Sequence, residues 1–148
     1  MTAQNPSPES RRAAIEAFLA EPRNIMVGAV RRDGRPQITP NWFSWDGARF
    51  YVSTTRSRQK YRNFRRDPRV QLVLDDSTAF RTVLIDGTVE TLEDLEAALP
   101  HFKRIREKHG RAATDDQQML DGLRREGRVL LAITPDRPME GWTAWGLG

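Results

Sequence analysis

The sequence predicts a small, mainly antiparallel β-barrel with flanking helices. Three observations carry this. Two Asp-Gly pairs, Asp33-Gly34 and Asp46-Gly47, each separate two apolar runs, as the turn of a tight hairpin does, since both residues tolerate positive φ. About six segments have strand length and apolar or alternating character. The helical segments between them are few and short, and in a barrel they serve to cover the open ends.

Residues 1–9 contain Asn5, Pro6, Ser7 and Pro8 and read as a flexible tail ahead of one domain over 10–148. Ser10 can cap a helix to about Ala20 that turns Ile15, Phe18 and Leu19 to one face. Ile25–Val30 is an apolar strand. Gln37–Trp45 returns from the first hairpin, and Pro40 within it removes a ladder donor, which calls for an edge or a bulge. Arg49–Thr54 is the third strand, with Phe50 and Val52 out of phase with Tyr51. A short helix starts near Ser57, runs through Asn63 to Arg66 and stops at Asp67-Pro68. Val70–Leu74 and Thr82–Thr91 are two more strands. Helices follow from Glu93 to about His109 and from Thr114 to Arg125, the second ended by Gly127. Arg128–Thr134 is the last core strand. Trp42 and Trp45 face opposite sides of their strand, so one of them belongs to the core.

Composition removes several kinds of chemistry. The 148 residues include no Cys, which excludes disulfides and thiolate catalysis, and two His, too few for a His-based metal site to be expected. No apolar run nears the ~20 residues of a membrane span. Met1–Arg12 is polar and lacks the apolar region of a secretory signal, so the expected compartment is the cytoplasm. There is no Gly-rich phosphate loop, no Gly-x-Ser-x-Gly and no nucleophilic Cys. Asp75-Asp76 lies at a strand end before Ser77, where a turn is its expected role. An enzyme built on this chain needs a bound cofactor to carry the chemistry.

The net charge of +4 is local. Residues 56–69 hold seven Lys or Arg against Asp67, giving +6, while the remaining 17 basic and 19 acidic residues sum to −2. A focused cationic site points to a phosphate or polycarboxylate ligand. Arg58 and Lys60 face one side only if the backbone is extended at Arg58, since two residues along a helix diverge by about 200°. If the chain turns helical near Lys60, both heads meet one anion beside the positive end of the helix dipole. A solvated basic surface helix is the alternative. Tyr61 and Phe64, three apart, are expected on the buried side of this helix rather than as stacking platforms for bases. His101 and His109 are expected at the surface. Trp142 and Trp145 either pack on the barrel or offer a flat stacking surface.

Three segments resemble a known family. These are Asp33-Gly34-Arg35-Pro36-Gln37, the basic stretch Ser57–Arg69, and Ile85-Asp86-Gly87-Thr88-Val89-Glu90. Together, and most specifically through the second, they resemble the split β-barrel, pyridoxamine 5′-phosphate oxidase-like oxidoreductases, in the branch that uses the deazaflavin coenzyme F420. The likeness spans about residues 10–134. It implies a homodimer with two cofactor sites at the subunit interface and hydride exchange with a small organic substrate. By position it assigns Arg58 and Lys60 to the cofactor's phosphate and acidic tail. Ser53, Thr54, Thr55 and Asn63 would line the same site, and Gln37, Thr39, Pro40 and Asn41 would meet the ring edge. Pro40 departs from the polar residue expected there. Cationic residues beyond the Arg58/Lys60 pair, at Arg56, Arg62, Arg65, Arg66 and Arg69, favour the long acidic tail of F420 over FMN, the alternative cofactor. A non-catalytic cofactor carrier or a basic nucleic-acid-binding protein is the reading of another class. No membrane partner is expected.

Overall fold

The structure is a computed structural model that describes residues 5–112 and 114–147. Its order is α1 (Pro8–Ala20), β1 (Ile25–Val30), β2 (Pro36–Asn41), β3 (Ser44–Trp45), β4 (Phe50–Thr55), α2 (Gln59–Arg66), β5 (Arg69–Asp76), β6 (Arg81–Leu92), α3 (Leu95–Lys108), α4 (Asp116–Glu126), β7 (Arg128–Pro135) and β8 (Thr143–Trp145). All strand pairs are antiparallel. The order across the sheet is β2-β1-β5-β6-β7-β4-β3, with β8 paired to β6. The sheet curls into a split barrel with four flanking helices.

The first helix begins earlier than the Ser10 cap implies. Ser7 is the cap, its hydroxyl accepting from the Ser10 N–H at 3.1 Å, and Pro8 occupies the first turn, where a missing N–H costs nothing. Residues 8 and 9 of the expected tail are therefore helical, and residues 1–4 lie outside the described residues. Ile15, Phe18 and Leu19 form the buried face, as their spacing indicates.

The expected return strand over 37–45 is two strands. The chain leaves the ladder between Asn41 and Ser44, which lets β2 pair with β1 while β3 pairs with β4. β2 is an edge strand, which is how Pro40 is accommodated opposite Met26. β8 falls outside the strands that the sequence predicts. Three residues carry no periodic signal, and the strand is fixed by a close approach: Gly146, at φ +70, places its Cα so near the Phe80 carbonyl that a Cβ would lie 2.3 Å from that oxygen.

Two apolar clusters sit on the two faces of the sheet. Phe18, Phe43, Phe50, Leu72, Ile85 and Trp142 belong to the one inside the barrel, with Trp45 packed against it. The other lies outside, where Tyr51, Leu130 and Ala132 meet Phe102, Ile105, Met119 and Leu123. β7 is buried on both faces, which explains its unbroken apolar run. Thus α3 and α4 cover the outer face of β4 and β7 rather than an open end of the barrel. Trp45 is the inward tryptophan of its pair, and Trp42 is part-exposed.

Candidate cofactor site

The site is built where β4 hands the chain to α2. Arg58 is the N-cap of α2, with extended φ −77° and ψ 144°, and its side chain makes no capping bond. No acidic residue lies in the first turn, so the first N–H groups and the dipole meet no negative side chain there. Lys60 follows in that turn and is 7% exposed. Its ammonium donates to Asn41 Oδ1, and no carboxylate pairs with it among the described residues. Burial, with Arg58 beside it, lowers its pKa to about 8. A charge desolvated this far without a counter-ion is costly, and none of the described residues supplies an anion to offset it.

The polar side of β2 faces α2. Gln37, Thr39 and Asn41 alternate with exposed Pro36, Ile38 and Pro40, so the three polar groups share one face. Asn63 is 0% exposed. It donates to Gln37 Oε1 at 2.8 Å and accepts from Gln59 at 3.0 Å and from Arg66 at 3.3 Å. Thr39 Oγ1 donates to Asn41 Oδ1 at 3.3 Å. Two separate hydrogen-bonded sets, Gln37 with Asn63 and Thr39 and Lys60 with Asn41, thus tie β2 to α2.

Pro40, Asn41 and Ser53 line a cavity of about 570 Å³ that opens between the end of the sheet and the α3–α4 pair. Ser53 Oγ accepts from Arg128 at 3.4 Å. Thr54 does not join Ser53. By strand alternation it lies with Phe50 and Val52 on the barrel side. Thr55 shares a hydrogen bond of 2.9 Å with Ser57.

The helix turns a different face inward than expected. Lys60, Asn63 and Phe64 are buried, while Tyr61 is only half-buried, its hydroxyl donating to Glu93 Oε1 at 2.6 Å. The 60/63/64 spacing prevails over 61/64 because the polar row of β2 satisfies Lys60 and Asn63. Several of the surrounding arginines are occupied. Arg69 pairs with Asp67 at 2.7 Å and holds that carboxyl at about 2. Arg56 and Arg65 approach Glu93 at 3.6 and 3.9 Å, and Arg66 donates to the Val30 carbonyl. Arg58 and Arg62 meet no carboxylate among the described residues.

Neither histidine is a free surface group. His101 stacks on Tyr51, centroids 3.9 Å apart. His109 stacks on Trp42 at 4.9 Å, and its Nε2 accepts the Phe43 N–H at 3.3 Å. Lys108 lies 3.5 Å over the Phe43 ring and donates to the Leu19 carbonyl, supplying the cation that the end of α1 lacks. The end of α3 therefore clamps residues 42 and 43, and Trp42 lines the cavity. Trp42, Phe102, Met119 and Leu123 escaped the sequence reading as cavity residues, since their apolar spacing also describes a plain core.

A split barrel with a desolvated cation at a helix N-terminus, beside a cavity of ligand size, defines a class of small-molecule-binding barrels. The chain belongs to the pyridoxamine 5′-phosphate oxidase family, which it matches over residues 12–138. Similar solved structures include an F420 reductase, 27% identical, with 82% of this chain and 93% of that one covered at a TM-score of 0.67. A conserved hypothetical protein from Mycobacterium tuberculosis is 26% identical over 98% of this chain and 88% of the other, at a TM-score of 0.78. The heme storage protein HutZ of Vibrio cholerae shares the fold at 21% identity, with 92% and 95% covered and a TM-score of 0.72. This is a family of flavin- or deazaflavin-related oxidoreductases and cofactor-binding proteins. Among the described residues no helix is long and apolar enough to cross a membrane, and no group of three or more His, Cys, Asp or Glu is placed to hold a metal ion.

Proposed function

We propose that the protein is an oxidoreductase that uses coenzyme F420 to exchange hydride with a small organic substrate. The observation that carries this reading is Lys60, a buried ammonium at the N-terminus of α2 with no carboxylate partner among the described residues. An anionic cofactor group offsets its desolvation, and Arg58 and the open N–H groups add to the attraction. Asn41 links this point to the cavity, so a ring joined to the phosphate reaches Trp42 and Ser53. The bound cofactor supplies hydride transfer at its ring. The chain's part is to fix the phosphate end, hold the ring edge through β2, and exclude water with the apolar wall of α3 and α4.

The 27% identity to an F420 reductase supports the deazaflavin over FMN. The charge argument for a long acidic tail is weaker than the sequence implied, because Arg56, Arg65 and Arg69 already face carboxylates. We also propose a homodimer with the site shared between subunits. Fluorescence titration with F420 and with FMN tests the reading. F420 is expected to bind more tightly, and Lys60→Met to weaken it by about 1.5–3 kcal/mol. A yellow protein that releases FMN on denaturation reverses the choice of cofactor, and failure to bind either one overturns the reading.

A further inference from the structure

The cavity has a second half to which the cofactor reading gives only the exclusion of water. Its far wall is apolar, made by Phe102 of α3 and by Met119 and Leu123 of α4. Two arginines, Arg106 and Arg128, also line the cavity. They differ in their surroundings. Arg128 Nε is bound to Glu126 at 2.7 Å. Arg106 forms no ion pair among the described residues. Its backbone is nonetheless held firmly: the Arg106 carbonyl accepts from the N–H groups of His109 at 3.2 Å and Arg111 at 2.9 Å, around Gly110 at φ +76. Arg106 therefore projects from a pinned helix end, beside an apolar wall, with its charge unspent.

We propose that this half of the cavity binds an organic acid with an apolar body, its carboxylate on Arg106 and its body on Phe102, Met119 and Leu123. One guanidinium fork matches one carboxylate. A phosphate dianion is a poorer match, since the second arginine is already neutralised by Glu126. The volume of about 570 Å³ lies in the range of small-molecule sites. That the acid is the substrate rests on the cofactor reading above; that it binds here does not.

The probes are naphthoate and its neutral counterpart naphthalene methanol, titrated calorimetrically against the intact protein. Naphthoate is expected to bind about five- to tenfold more tightly than the alcohol, the gain from one partly exposed ion pair. Arg106→Gln should remove that difference and leave the alcohol unchanged. Leu123→Asp should weaken both, with circular dichroism confirming that the variant is folded. Lys60→Met, which removes the proposed phosphate contact, should leave naphthoate affinity within about twofold. Equal binding of acid and alcohol overturns the proposal. So does a preference for the acid that survives Arg106→Gln, or one lost in Lys60→Met instead, which assigns the acid to the anion site. Retained naphthoate binding with no affinity for F420 or FMN overturns the cofactor reading alone.

Discussion

Lys60 concentrates what a single residue shows. Its ammonium is more easily lost than usual because burial disfavours the charged form, so its pKa stands near 8 against an ordinary 10.5. Between those values the unfolded chain holds the proton more than the folded one does. Stability should therefore rise with pH from about 8 to 10.5; Lys108, lowered to about 8 by its own burial, adds to this rise, so Lys60→Met should reduce the slope and only Lys60→Met with Lys108→Met should abolish it. The same substitution should stabilise the ligand-free protein by about 1–3 kcal/mol, since a buried charge with no counter-ion is exchanged for an apolar chain of similar length. Chemical denaturation at a series of pH values measures both effects. Anion binding should run the other way: phosphate affinity should fall above pH about 8, where Lys60 becomes neutral. A flat profile contradicts the assignment of Lys60. At this scale the sequence was informative about charge and silent about partners. Seven cations in one stretch marked the site, yet nothing in the chain showed that Lys60, rather than Tyr61, turns inward to Asn41.

At the scale of elements, the end of α3 governs the loop that carries Trp42. His109 must stay neutral to accept the Phe43 N–H, and burial, aided by Lys108 next to it, lowers its pKa below the ordinary 6.5. His101 is lowered as well, mainly by burial against Tyr51. A depressed histidine contributes stability above its unfolded pKa. That contribution declines as pH falls below about 6.5 and is fully lost below the folded pKa. Carboxylates such as Asp76, held at about 2 by Thr78 and Arg81, act only below about 4, so the two effects separate along the pH axis. Urea midpoints should fall between pH 6.5 and 5, and the double variant His101→Gln, His109→Gln should flatten that slope. A second prediction concerns the turn before β6. Phe80 is 84% exposed and holds φ +53, a strained conformation for a bulky side chain. Phe80→Asn should raise the Tm by about 2–4 °C, as Asn tolerates this region and little packing is lost. Apart from β8, the strand positions were legible to within one or two residues because Asp-Gly turns and apolar runs bound them. The separation of β2 from β3 was not legible, since it depends on which neighbour each half pairs with across the sheet.

For the whole molecule, the apolar run Trp42, Phe43 and Trp45 predicts from sequence an exposed strand surface for a second subunit to cover, and the structure places the apolar surface elsewhere. Phe43 is fully buried and Trp45 packs on the core. The apolar surface is instead on the outer face of β1, β2 and β5, where Met26, Val30, Ile38 and Val73 line a groove of about 300 Å³ and Ile38 is 61% exposed. β2 is also a sheet edge, with open ladder groups along one side that alternate prolines only partly blunt. A second copy of the chain is the occupant proposed here, and it would place its surface next to the strand that carries Gln37, Thr39 and Asn41. Burying one exposed Ile at such an interface is worth about 1.5–3 kcal/mol per subunit, while an Asp there must be desolvated without a partner. Ile38→Asp should therefore shift sedimentation from about twice 17.0 kDa to the single-chain mass. Because Ile38 makes little contact within its own chain, the variant should keep its fold and its urea midpoint at low concentration. Cofactor affinity should fall with the dimer, since the proposed site is shared. A dimer that persists in Ile38→Asp locates the interface on another face. A wild-type protein that sediments as a monomer at micromolar concentration removes the shared site and leaves Lys60 and its cavity to act within one chain.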